Sequence, residues 1–273
     1  RASLTTALVG SSWWGRMIPR KFLDAHFFVD GFDATADQQT ADTALRFLRN
    51  FRPNLMLVYF GHVDEVARQA GANGHLYREA ALEADDHLRD IVEGLDLRHA
   101  VLIVASDHGQ IDRGGYGGVD PEVVTTPFVA VGDAIIPGDY GTIEQTDIAT
   151  TITAILGGPA PRLSQGLIRF EMLRNDEIKR AETQVEAALQ RQEYANLYLH
   201  SIGHGPLSDT AQGDVAVAVS SLQVRNFESA YRLAGIAVDR VDQEVARARQ
   251  QPIRRERRLR LYPAAGFIGL HLV

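Results

Sequence analysis

With 273 residues, 45% of them hydrophobic and 23% charged, the chain can bury a substantial core in one or two globular domains. Its formal net charge of −7 argues against nucleic acid as a partner, because phosphate backbones are held by basic surfaces. The absence of cysteine excludes disulfides and thiolate zinc sites and leaves the compartment open.

Taken in order, the chain alternates apolar strand-like runs with segments of helical spacing. Strands are expected near residues 4–9, 25–30, 55–60, 100–106 and 126–131. Asp30-Gly31, after the second run, reads as a turn. The third run, Asn54 to Phe60, leads directly into Gly61-His-Val-Asp-Glu-Val-Ala-Arg-Gln-Ala-Gly71. From Leu76 the apolar residues fall at helical spacing and Gly94 supplies a stop. With a helix between them, the strands near 55–60 and 100–106 are expected to lie parallel and close. A helix over residues 145–157 follows, with Asp147 as its expected cap. The pattern predicts an α/β fold, a mostly parallel sheet flanked by helices.

The fourth strand ends in Ser106-Asp107-His108-Gly109. Ligands in open α/β sheets gather at the carboxyl ends of strands. Asp107 offers a hard oxygen and neutral His108 a nitrogen, a set suited to Zn²⁺, Mn²⁺ or Fe rather than Ca²⁺. The plainer alternative is a capping aspartate beside a solvated histidine. Beyond it lies a glycine-rich loop, Arg113-Gly-Gly-Tyr-Gly-Gly118.

These segments, in this order from about Leu4 to about Phe170, resemble the alkaline phosphatase superfamily, within it the type I phosphodiesterase/nucleotide pyrophosphatase branch. The resemblance implies an alkaline-phosphatase-like fold and a site for two metal ions with a Ser or Thr nucleophile. It places Asp107 and His108 at one ion and Asp64 at the other. For that second ion the family pattern asks for His four residues after Asp64 and another in the glycine-rich loop. This chain has Arg68 and Tyr116 there, neither an ordinary zinc ligand. The expectation is therefore one divalent metal at most, Zn²⁺ or Mn²⁺, held by Asp64, Asp107 and His108, or none.

His62 either leans toward Asp64 or is an ordinary strand-end histidine. Arg68 admits two readings as well: a fixed cation replacing an ion, paired with Asp64 as in sulfatases of the superfamily, or filler in a dead site. The catalytic nucleophile is unknown. Thr5, Thr6, Ser11 and Ser12 qualify by chemistry alone, and the family's strand-Asp-Gly and nucleophile would precede Asp64 by more than the 63 residues present. The chain opens at Arg1, so the N-terminal part of the domain is expected to be missing, and no signal peptide is read.

Composition changes after about Phe170. Residues from Asn175 to Ile202 are rich in helix formers, with Asn175 or Asp176 as cap. A second helical region runs from about Ser208 to Gln250, with Ala230, Leu233, Ala237, Val241 and Val245 as its apolar stripe. The two are expected to form an antiparallel hairpin, whose length suits docking of other protein subunits. Arg254 to Arg260 is a basic cluster that flows into an apolar tail, read either as the start of a membrane segment or as a segment packed on the domain.

Three parts follow: residues 1–170 as an alkaline-phosphatase-like domain, 171–257 as a helical extension and 258–273 as the basic-to-apolar tail. The expected function is a degenerate phosphodiesterase-like domain acting as a structural or interaction subunit, membrane-associated and extracytoplasmic. The alternative is a metal-dependent hydrolase of phosphate or sulfate esters whose nucleophile precedes Arg1.

Overall fold

The computed structural model describes residues 4–270, with side chains described up to residue 250. Two compact units share the chain, Arg1–Ile135 and Ile136–Val273. This division falls earlier than the change in composition near Phe170, so the helix after Glu144 belongs with the helical part.

In the first unit, β1 (Thr6–Ser11) is followed by a short α1 (Trp14–Met17), then β2 (Ala25–Val29), α2 (Ala34–Asn50), β3 (Leu55–Val58), α3 (His62–Ala70) and α4 (His75–Glu93). The sheet order is β2-β1-β3, all parallel, with Val9 opposite Phe27 on one side and Val58 on the other. As the central strand, β1 is buried on both faces at Ala7, Leu8 and Val9, which is why its run is uniformly apolar. A parallel sheet flanked by helices is the α/β fold that the alternating pattern predicts, and it is consistent with the alkaline-phosphatase-like fold that the resemblance implies.

Helix α2 has no counterpart in the sequence expectations. Its start is marked by Asp33, which accepts from the Ala36 amide at 2.9 Å, and its buried stripe is small: Ala36, Ala41 and Ala44. The polar Asp37, Thr40 and Thr43 are buried on the same helix, so its covered face is not marked by large apolar residues.

The remaining strands, β4 (Leu102–Ala105) and β5 (Phe128–Val131), form a separate two-stranded antiparallel sheet with Ile103 opposite Ala130, and α5 (Pro121–Val124) lies between them. The expected parallel pairing of the third and fourth strands is corrected here. Parallel neighbours need a crossover element, and between β4 and β5 there is only a glycine-rich loop and a four-residue helix, so the chain folds back on β4 itself.

The second unit contains α6 (Gln145–Ile155), α7 (Glu177–Ser201), α8 (Asp209–Gln223) and α9 (Phe227–Leu270). Asp147 is not the cap of α6. It is the third helical residue of a capping box, and its Oδ2 accepts from the Glu144 amide at 3.3 Å. Asp176 does cap α7, accepting from the Lys179 amide at 2.7 Å. The expected hairpin is instead three helices, because Arg225 adopts a left-handed conformation (φ 58°) and Asn226 restarts the helix, accepting from the Ser229 amide. Ala230, Ala237, Val241 and Val245 are buried as the stripe predicted. The buried Arg191 donates to the Gly166 carbonyl at 2.8 Å and pairs with Asp242 at 3.4 Å.

The tail over 258–273 lies outside the residues whose side chains are described. Among the described residues no helix is long and apolar enough to cross a membrane.

Candidate functional site

Two segments of the first unit meet. Helix α3 begins immediately after β3 and carries Asp64 in its first turn, where a carboxylate is favoured by the helix dipole. The turn after β4 carries Asp107 and His108. The two are brought together: His108 Nε2 stands 3.9 Å from Asp64 Oδ1 and 3.9 Å from Asp107 Oδ1. Asp107 is largely exposed, whereas Asp64 and His108 are about two-thirds covered.

Local hydrogen bonds orient the histidine. Its Nδ1 lies 2.9 Å from the Gly109 carbonyl, which can only accept, so Nδ1 carries a proton and Nε2 is the ring atom that faces the two carboxylates. Ser106 Oγ donates to the His108 carbonyl at 2.7 Å, and the Gly109 amide donates to the Val123 carbonyl at 2.7 Å. A Cβ at Gly109 would stand 1.9 Å from the Glu122 carbonyl oxygen, so this turn admits glycine only.

Asp64 is held on both oxygens. Gln110 Nε2 donates to Oδ1 at 2.5 Å and to the Asp64 carbonyl at 3.1 Å, and the Tyr116 hydroxyl donates to Oδ2 at 3.3 Å. Tyr116 also packs edge-on against His108, ring centroids 5.0 Å apart. Burial, followed by the negative charge of Asp64, pushes the Tyr116 phenol above its ordinary value and keeps it a donor. Tyr59, at the end of β3, is pushed up to about 12, mainly by burial and then by Asp64 and Asp107.

Arg68 does not pair with Asp64. It forms a two-pronged bond to Glu65, 2.6 and 3.1 Å, on the exposed side of α3. The sulfatase-like reading of an Asp64–Arg68 pair is therefore corrected: positions three apart face one another on a helix, and Glu65 is the nearer carboxylate in that geometry. His62 turns away as well, its Nδ1 3.3 Å from Glu83.

Sequence reasoning passed over two residues that build this site. Gln110 sits two places after His108 with no motif to mark it. Asp37, buried on α2, accepts from the Gly61 amide at 2.9 Å and the His62 amide at 3.1 Å, and so satisfies the first turn of the helix that presents Asp64. Burial raises the Asp37 carboxyl above its ordinary value in spite of these two donors. Only the fold places Asp37 there, and no local signal could have.

Of the candidate nucleophiles, Thr5 and Thr6 are occupied at the start of β1, where their hydroxyls donate to Asn54 and Asp24 at 3.0 Å each. Ser11 is buried.

For a pair of metal ions the resemblance asks for imidazoles at positions 68 and 116, where this chain has a guanidinium and a phenol, neither an ordinary zinc ligand. The chemistry of Asp64, Asp107 and His108 suits a single ion, but a tetrahedral zinc with bonds near 2.1 Å separates its donors by about 3.4 Å, less than the observed spacings. Among the described residues no group of three His, Asp or Glu side chains is arranged to hold a metal ion.

Comparison with known proteins agrees with these motifs. Residues 8–118 match the family described as type I phosphodiesterase / nucleotide pyrophosphatase. The chain is 25% identical over 241 residues to the human GPI ethanolamine phosphate transferase 2, catalytic subunit, covering 83% of this chain and 23% of that protein. It is 22% identical over 190 residues to GPI ethanolamine phosphate transferase 2 of Kluyveromyces lactis, 60% of this chain and 24% of that one. Mouse GPI ethanolamine phosphate transferase 1 is 25% identical over 194 residues, 59% of this chain and 20% of its own length. The chain thus spans between a fifth and a quarter of the length of these relatives. No solved structure matches it. Motif order, parallel sheet and family match together make residues 8–118 similar to the type I phosphodiesterase / nucleotide pyrophosphatase family.

Proposed function

We propose that this chain is a degenerate phosphodiesterase-like domain that serves as a structural or interaction subunit and binds one divalent ion at most, Zn²⁺ or Mn²⁺, through Asp64, Asp107 and His108. The observation that carries the reading is the state of Asp64: both oxygens are engaged by neutral donors, Gln110 and Tyr116, the second of which stands where the resemblance asks for a histidine. Without a second ion, the developing charge of an in-line displacement loses one half of its clamp. General acid-base work by Asp64 and His108 alone contributes about a hundred- to ten-thousand-fold, far short of what a stable phosphate ester demands.

A second reading, metal-dependent hydrolysis or transfer of phosphate esters with a nucleophile supplied from outside this chain, is favoured by the orientation of His108, which turns Nε2 toward the two carboxylates. The relatives' printed name points the same way, to ethanolamine phosphate as the group transferred. The test is turnover of a p-nitrophenyl phosphodiester with Zn²⁺ or Mn²⁺ by the chain and by Asp107→Ala. An equal, negligible rate in both is expected. Metal-dependent turnover lost in the variant would replace the first reading by the second.

A further inference from the structure

The connection from β1 to β2 has a composition unlike the rest of the chain. Between Ser12 and Leu23 there are three basic residues, Arg16, Arg20 and Lys21, and no acidic one, in a protein whose net charge is −7. The same stretch leaves large apolar side chains in solvent: Met17 is 62% exposed and Phe22 64%. Both tryptophans of the chain, Trp13 and Trp14, are here, half-buried and stacked at 4.5 Å.

Two of the cations lie against aromatic rings. Lys21 Nζ lies 5.0 Å from the centre of the Phe22 ring, and the Arg20 guanidinium 5.5 Å from that of Phe28. Basic heads beside exposed apolar side chains and amphipathic indoles are the combination that settles at the boundary between lipid headgroups and acyl chains.

We propose that this segment is a docking surface for an anionic phospholipid bilayer, with Arg16, Arg20 and Lys21 on the headgroup phosphates and Met17 and Phe22 inserted below them. Charge complementarity selects the occupant: an acidic chain approaches a negatively charged surface only through such a basic patch. The root of the segment is fixed to the candidate site, since Trp13 and Trp14 pack on Tyr59 with ring centroids 6.0 and 5.8 Å away, and Tyr59 leads through Phe60 and Gly61 into α3 and Asp64. Docking would hold the Asp64–His108 cluster close to the lipid surface. The proposal stands whether or not the cluster turns over phosphate esters.

The chain's own tryptophans report on this segment alone. The full chain is titrated with vesicles of phosphatidylcholine, with or without phosphatidylserine, and with brominated phosphatidylcholine as a quencher placed in the acyl region. Expected with phosphatidylserine are a blue shift of tryptophan emission, quenching by the brominated lipid and reversal by salt. Partitioning should fall at least about tenfold in the triple variant Arg16→Glu, Arg20→Glu, Lys21→Glu and in the double variant Met17→Ser, Phe22→Ser, since each cation and each buried apolar side chain adds to binding. These side chains are exposed, and far-UV circular dichroism verifies that the variants fold. Failure to bind, equal binding to phosphatidylcholine alone, or sedimentation with vesicles without any change in tryptophan emission would overturn the proposal. The last result would assign binding to the basic cluster at Arg254–Arg260.

Discussion

Tyr116 and Asp64, 52 residues apart in sequence, are joined by a hydrogen bond from the phenol to Oδ2 at 3.3 Å. Where the resemblance asks for a histidine, this chain has a neutral donor to the Asp64 carboxylate. The bond ties the glycine-rich loop to α3 without requiring an ion.

Restoring the pattern should restore binding. The double variant Arg68→His, Tyr116→His supplies the two missing imidazoles around Asp64, and its affinity for Zn²⁺ is expected to exceed that of the parent by at least about tenfold. Isothermal titration with Zn²⁺, including the stoichiometry, checks it. Unchanged affinity and stoichiometry would show that the glycine-rich loop cannot bring residue 116 to the ion.

Asp37 is expected to matter for stability and for its pH dependence. Asp37→Ala removes the acceptor for the Gly61 and His62 amides and should cost about 1–2 kcal/mol, as lost helix caps do. Because the folded-state carboxyl sits above 3.8, protonated Asp37 is the better tolerated form in the fold. Its contribution is present below the unfolded pKa and is lost as pH rises through the folded one. Relative to Asp37→Asn, the parent should therefore lose stability as pH rises from just below 3.8 through the range above it. Urea denaturation across that range would refute the assignment if the two curves ran parallel.

Gly109→Ala is predicted to be severe although it adds one methyl group. The new Cβ would meet the Glu122 carbonyl oxygen at 1.9 Å, with backbone on both sides of the clash. A loss of about 3 kcal/mol or more is expected, read from the urea midpoint. A variant as stable as the parent would mean that the Gly109–Val123 connection is not held as described.

In the second unit, Arg191→Met should destabilise by about 2 kcal/mol, because it leaves the Gly166 carbonyl and the half-covered Asp242 without their cation. Adding Asp242→Asn should recover part of the loss. If the two changes were strictly additive in thermal unfolding, the pair would not be coupled.

Local chemistry alone determined much of this protein. Apolar runs located all five strands, a helical period bounded by Gly94 located α4, and Asn175 or Asp176 marked the start of α7, because strand burial, helix period and caps are written in neighbouring residues. Ser106 to Gly109, with the segment around Asp64, was legible as one site for the same reason: its residues sit at strand ends in a recognisable order. The pairing of strands was not legible, since β4 chooses β5 over β3 through the length and glycine content of a loop rather than through any property of the strand. The break at Arg225 turned on a single left-handed residue within a helix-forming stretch. Tertiary structure alone decided that Gln110 and Tyr116 occupy the oxygens of Asp64 and that Asp37 accepts from the first amides of α3. Hydrogen bonds between residues tens of positions apart depend on where the backbone brings them, and spacing along the chain carries no record of that.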